Sequence, residues 1–160
     1  MNLGNLFRSA HAFGASFLFT INADYSRLRA RSDTSDASEA LPTYRYDTAD
    51  QLDLPRGCSL VGVELTDDAV ALPSFRHPRQ AAYLFGPERG ALSPELIDRC
   101  EFVVKIPTKF CINLASAGVV VMYDRMISLG RFAERPVTAH GGAADPPTHV
   151  HGSKISHLGG

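Results

Sequence analysis

Three short polar clusters interrupt otherwise apolar stretches of the chain, and they hold the residue types that could do chemistry. The first runs from Asn2 to Arg8, the second is Gly86-Pro87-Glu88-Arg89-Gly90, and the third covers residues 106–118. Arg8 lies near the start of a segment with helical spacing, where free backbone N–H groups already favour anions. Each cluster also has a plain explanation. Asn2 and Asn113 suit helix caps, Arg8 suits a solvated helix charge, and GPERG suits a turn whose glycines serve the backbone. GPERG is not a phosphate-cradling G-x-x-x-x-G-K-[ST] loop, and no G-x-G-x-x-G follows a strand. No G-x-S-x-G elbow of a Ser-His-Asp hydrolase is present either. Phosphoryl transfer and dinucleotide redox chemistry are therefore disfavoured.

The elements that must position these clusters alternate between helix and strand. Leu3, Leu6, Phe7, Ala10 and Phe13 recur at helical spacing, with Asn2 where a cap belongs and Gly14 as the stop. Residues 16–21 read as a strand, 22–40 as a long surface loop, 41–46 as a short strand and 48–54 as a weak helical turn. A buried strand is expected at 59–65, then a Pro-containing loop to Pro78, then a strand at 81–85 that ends in GPERG. Residues 93–100 read as a helix, with Ser93 as cap, Pro94 in first position and Glu95 in the first turn. A strand at 102–106 is stopped by Pro107, and a long helix runs over 113–129 to Gly130. The alternation predicts an α/β domain with a mainly parallel sheet flanked by helices. In such sheets ligands bind beyond the strand ends, and each cluster falls at the end of a strand or the start of a helix.

With 160 residues, 44% of them hydrophobic and 21% charged, the chain has room for one domain with a sizeable core. No apolar run reaches the roughly 18 residues a membrane helix needs, and no secretory signal pattern opens the chain, so a cytoplasmic protein without membrane partners is expected. Cys58, Cys100 and Cys111 are far apart and form no C-x-x-C pair, which suggests neither a disulfide framework nor a metal site. Cys58 and Cys100 read as buried thiols. The net charge of −1 hides two basic segments, 1–31 and 105–135, each with a net +3, around an acidic middle between Asp33 and Asp68. Arginine supplies most of the basic residues, and its planar fork suits phosphate. Beyond residue 136 the composition shifts to Gly, Pro and His, and 136–160 read as a disordered tail.

Taken together and in order, the clusters resemble the SpoU/TrmH family of the SPOUT superfamily, the knotted S-adenosylmethionine-dependent RNA ribose 2′-O-methyltransferases. The family's first motif, an Asn followed six residues later by an Arg and then an aromatic-Gly pair, is matched by Asn2, Arg8 and Phe13-Gly14. Its second, a strand running into Gly-x-Glu-x-x-Gly, is matched loosely by LFGPERGALS, with Gly86 and Glu88 in place and Gly90 one position early. Its third, Ile-Pro, a loop, then Ser-Leu-Asn opening a small-residue helix, is matched by Ile106-Pro107, TKF, Cys111-Ile112-Asn113 and LASAG. The resemblance spans roughly residues 2–131. It departs from the family at Cys111, where the family has Ser, and in a shorter loop before it.

The resemblance implies a SPOUT-type fold with a C-terminal trefoil knot, a methyltransferase domain over 1–135 and transfer of a methyl group to a ribose 2′-hydroxyl of tRNA or rRNA. Asn2, Arg8, Glu88 and Asn113 would surround the reacting groups. Backbone around Leu65, Gly86, Ile106, Cys111 and Ile112 would bind S-adenosylmethionine. Relatives carry an apolar strand ahead of the first motif, whereas this sequence opens on Met1-Asn2, so the domain lacks that strand or the true start lies upstream. A homodimer is implied, with the last helix at the interface; Leu114, Ala117, Val120 and Val121 suit that role and suit an ordinary core equally. The competing expectation is a catalytically impaired protein that binds RNA or cofactor without turnover.

Overall fold

Helix α1, Asn2–Ala12, buries Leu6, Phe7 and Ala10 along one stripe, as the helical spacing predicts. It closes at Gly14, whose φ of 74° is open to glycine at little steric cost. The Ala15 amide donates to Ala10 C=O at 2.9 Å and the Gly14 amide to His11 C=O at 3.0 Å, the paired bonds of a Schellman stop. Asn2 is the first helical residue rather than a cap outside the helix, a shift of one position. The computed structural model describes residues 2–22, 41–87, 90–132 and 139–141, with Asn2 described by its backbone alone. Glu88, Arg27, Arg29, Arg31 and most of the expected loop and tail lie outside the described residues.

The strands are β1 (Leu18–Ile21), β2 (Thr43–Tyr46), β3 (Ser59–Val63), β4 (Val70–Ala71), β5 (Ala81–Phe85) and β6 (Phe102–Lys105). Helices α2 (Pro94–Arg99) and α3 (Leu114–Leu129) complete the regular elements. Every strand pair is parallel, as the alternation of helix and strand predicts, but the strands form two sheets: β1-β2, and a four-stranded sheet in the order β4-β6-β3-β5. Strand β4 and the 3-10 turn at Leu72–Ser74 lie inside what the sequence suggested was only a loop. The weak helical turn expected at 48–54 is a 3-10 turn at Ala49–Gln51. At α2 the Ser93 hydroxyl accepts from the Leu96 amide, as its capping position predicts.

Val61, Leu72, Val104 and Val121 form one core, joining β3, β6 and α3. On the other face of the sheet Leu52, Leu60, Ala82, Leu84 and Leu92 form a second. Strand β3 carries Gly62 there because a Cβ would sit 3.0 Å from Cys100 Sγ, so α2 packs directly onto the strand. A third cluster, Phe7, Ala10 and Leu18, fixes α1 on β1 with Met122 of α3 against it. Between β1 and β5 runs an apolar groove of about 1,120 Å³, lined by both strands and by Leu3, Leu6 and Phe7 of α1.

Candidate functional site at the sheet's C-terminal edge

Because β3, β5 and β6 are adjacent and parallel, the residues that follow them leave the sheet at one edge. Leu65 lies just beyond β3, Gly86 follows β5 and Ile106 follows β6. Cys111, Ile112 and Asn113 come next after Ile106, so the third motif starts from the same edge. Helices α1 and α3 bring the first motif alongside. A Cβ on Gly118 would meet Leu6 Cδ1 at 2.1 Å, so the small residue lets the helices touch. One turn further along α3, Met122 packs with Phe7 and Ala10. The contacts advance in the same direction along both helices, which sets Asn2 and Asn113, their first turns, at the same end.

The side chains at this edge are tied down in ways the motifs did not reveal. Glu64, at the end of the apolar run SLVGVEL, accepts from the Leu92 amide at 2.8 Å and from the Leu65 amide at 3.0 Å. One carboxylate thus joins the loop after β3 to the segment after Gly90. Charge-assisted bonds of this kind are roughly twice as strong as neutral ones. A Cβ on Gly86 would lie 3.2 Å from the Leu92 nitrogen and 3.3 Å from Glu64 Oε2, so only glycine leaves this junction relaxed. Glu64 escaped the sequence reading; the available signal was an acidic residue closing a buried strand.

Asn113 Oδ1 accepts from the Ala115 amide at 2.9 Å and caps α3. Its carbonyl oxygen is therefore engaged, and its Nδ2 has no partner among the described residues. The plain explanation for Asn113 holds, and it leaves a donor rather than an acceptor for chemistry. Arg8 is exposed on α1 with no ion pair among the described residues. Cys111 is exposed, Ile112 half-buried, and neither amide has a hydrogen-bond partner among the described residues.

Two of the residues in the basic segment 105–135 serve the fold. Lys105 Nζ donates to the Thr66 and Asp67 carbonyls, both at 2.8 Å. Arg125 donates to the Pro78 and Arg79 carbonyls, both at 2.6 Å, and to the Tyr83 hydroxyl at 3.2 Å. Cys58 and Cys100 are half-buried rather than buried, as free thiols. Burial pushes both thiols above their ordinary value. On α3, Val121 is fully buried in the core, whereas Val119, Val120, Tyr123, Met126 and Ile127 are 37–47% exposed along one stripe. Of the four residues named for an interface, Val120 alone is exposed, at 39%; Leu114 and Ala117 are half-buried.

No helix among the described residues is long and apolar enough to cross a membrane, and none of their His, Cys, Asp and Glu side chains group as metal ligands. Parallel strands flanked by helices, with a loop site at their C-terminal edge, define an α/β protein of the ligand-binding, open-sheet class. The sequence matches the SpoU rRNA Methylase family over residues 1–123, and the chain belongs to that family. It is similar to an rRNA methyltransferase from Sinorhizobium meliloti at 25% identity and TM-score 0.70, over 81% of this chain and 52% of that one. An AdoMet-bound rRNA methyltransferase from Sinorhizobium meliloti matches at 25% identity and TM-score 0.69, over 81% of this chain and 52% of that one. A further structure, described for 2-OH methylation of C/U34 on tRNA, matches at 28% identity and TM-score 0.64, over 80% of this chain and 83% of that one. The chain spans about half the length of the Sinorhizobium meliloti enzyme. No curated protein matches it.

Proposed function

We propose that the protein is an S-adenosylmethionine-dependent RNA methyltransferase acting on a ribose 2′-hydroxyl of tRNA or rRNA. The observation that carries this proposal is the convergence of Leu65, Gly86, Ile106 and the 111–113 segment at one edge of a parallel sheet, in a chain of the SpoU family. The residues at that edge fit the cofactor. The Cys111 and Ile112 amides, without partners among the described residues, suit an adenine edge, Leu65 offers an exposed apolar face, and Gly86 lets the Leu92 amide and Glu64 close against the backbone that shapes the loop. Cys111 stands where the family has Ser and contributes through its backbone. When bound, the cofactor supplies an electrophilic methyl group on its sulfonium.

A ribose hydroxyl is a poor nucleophile, so the chain's own work is alignment and polarisation. Arg8 anchors an RNA phosphate and polarises the hydroxyl; a guanidinium gives up its proton too reluctantly to act as a base. Glu88 orients Arg8 through a charge-assisted pair. Asn113 donates from Nδ2 to the incoming ribose, and Asn2 stands beside it at the start of α1. With the cofactor bound, the methyl would leave its sulfur, which keeps the C–S electron pair as a neutral thioether, for the ribose oxygen held by these residues, and the hydroxyl proton would pass to water. The methyltransferase domain covers 1–135, with the segment after β6 forming the trefoil knot and 136–160 as a tail. The protein works in the cytoplasm as a homodimer joined through the outward stripe of α3.

Incubation with methyl-labelled S-adenosylmethionine and total RNA, followed by nuclease digestion, tests the proposal. Label is expected in 2′-O-methylated nucleotides, and R8K, which keeps the charge but loses the fork, should lower turnover at least about tenfold. Cofactor binding with no label in RNA assigns a binding-only role instead.

A further inference from the structure

Phe110 is 74% exposed, the highest value among the exposed large hydrophobic residues described, and it joins none of the three core clusters. It does not sit on a loose loop tip. The Thr108 amide donates to Ile106 C=O at 2.7 Å and the Thr108 hydroxyl to Phe110 C=O at 2.8 Å, so the turn that presents the ring is braced on both sides. Lys109 beside it is exposed and has no ion pair or hydrogen bond among the described residues. The loop leaves β6 at the edge where Leu65 and Gly86 emerge, and the Cys111 and Ile112 amides, without partners among the described residues, follow directly.

We propose that Phe110 is a stacking platform for an unpaired nucleobase of single-stranded RNA, with Lys109 holding an adjacent phosphate. A flat apolar ring offered to water on a braced turn suits a π-face, and stacking of this kind tolerates any base. A peptide would also cover a phenyl ring. The unpaired cation next to it, with polar Thr108 before, matches a base and its phosphate better than an apolar side chain. Stacking here lifts a nucleotide out of its strand at the sheet edge that carries the cofactor loops. This inference deepens the methyltransferase proposal and rests on it for RNA as the partner.

The chain has no tryptophan, so F110W places a single indole at the site. Its emission is expected to be quenched by unfractionated tRNA and by a short oligoadenylate, less so as salt rises. F110A and F110L should bind these RNAs about 5- to 100-fold more weakly in a mobility-shift assay, while F110Y stays close to the parent. S-adenosylmethionine binding, followed by calorimetry, should be unchanged in all four variants. RNA binding by F110W without quenching, or full-strength RNA binding by F110A, overturns the inference. So does a loss of cofactor binding or of dimer in F110A, which would place the ring against the cofactor or a second copy. Quenching by RNA with no methyl transfer leaves the platform standing and removes the methyltransferase proposal. Methyl transfer to RNA with full activity in F110A does the reverse.

Discussion

Asn113 shows how one side chain serves fold and chemistry through different atoms. Its Oδ1 caps α3 and its Nδ2 has no partner among the described residues, so the two roles separate by substitution. N113D keeps the capping oxygen and loses the donor; it should hold the parent's urea midpoint while turnover falls at least about tenfold. N113A should lose about 1 kcal/mol of stability as well. Unchanged turnover in N113D would confine Asn113 to the cap. The thiols give a second residue-scale expectation. Folding raises the Cys58 and Cys100 values through burial, so the folded chain holds those protons more tightly than the unfolded chain. Their contribution to stability is complete below about pH 9 and is lost as pH climbs through the raised values. Tyr83, raised by burial against the opposing pull of Arg125, adds to the loss above about pH 10. Urea midpoints should therefore fall on the alkaline side, and iodoacetamide at pH 8 should label exposed Cys111 before the other two, as peptide mapping would show.

At the scale of elements, the last helix is held by a buried polar network that periodicity could not reveal. The His77 side chain is fully buried; its Nε2 lies 2.8 Å from Asp124 Oδ2 and its Nδ1 2.6 Å from the Tyr83 hydroxyl. With Nε2–H donating to Asp124 and Nδ1 accepting from Tyr83, an assignment taken from the partners, both ring nitrogens are satisfied. Arg125 adds its bonds to Tyr83 and to two carbonyls before β5. The network thereby joins α3 to the entry of β5. H77A should cost about 2–4 kcal/mol, because it leaves a cavity and takes one hydrogen-bond partner from both Asp124 and Tyr83. H77F fills much of the space and should still cost about 1–3 kcal/mol; a cost below about 0.5 kcal/mol in urea unfolding would show that shape alone matters. The elements themselves were largely legible. Ser93-Pro94, Asn113, Gly14 and Gly130 mark helix ends by local chemistry, and β3, β5 and β6 are short apolar runs. Strand β4 was not, since a two-residue strand has no period. The roles of Glu64, His77 and Arg125 depend on partners 28 to 47 residues away, and no local pattern encodes them.

The molecule as a whole is divided by its groove, and the division follows from strand pairing rather than from any segment's propensity. The Leu18 and Asn22 amides donate toward β2, so Phe19 and Ile21 turn their backbone groups to the groove. Ser59 takes the Gln80 carbonyl, so Ala81, Tyr83 and Phe85 turn theirs to it from the other side. Two parallel edges without a strand partner among the described residues thus face one apolar channel lined by Leu6, Phe7, Leu84 and Met122. Unpaired edges of this kind are costly and prone to association. An extended apolar segment laid between them would unite both sheets, with α1 as the right-handed crossover into β1. A six-residue alternating Val-Thr segment fused ahead of Met1 should therefore raise stability by about 3–5 kcal/mol, from new ladder bonds and covered apolar surface. Hydrogen exchange at Phe19, Ile21, Ala81, Tyr83 and Phe85 should slow at least about tenfold. The same fusion with Pro at alternate positions cannot donate to the ladder and should give neither effect. Equal stabilisation by both fusions would mean that the groove gains only from being covered, and that its edges select no strand.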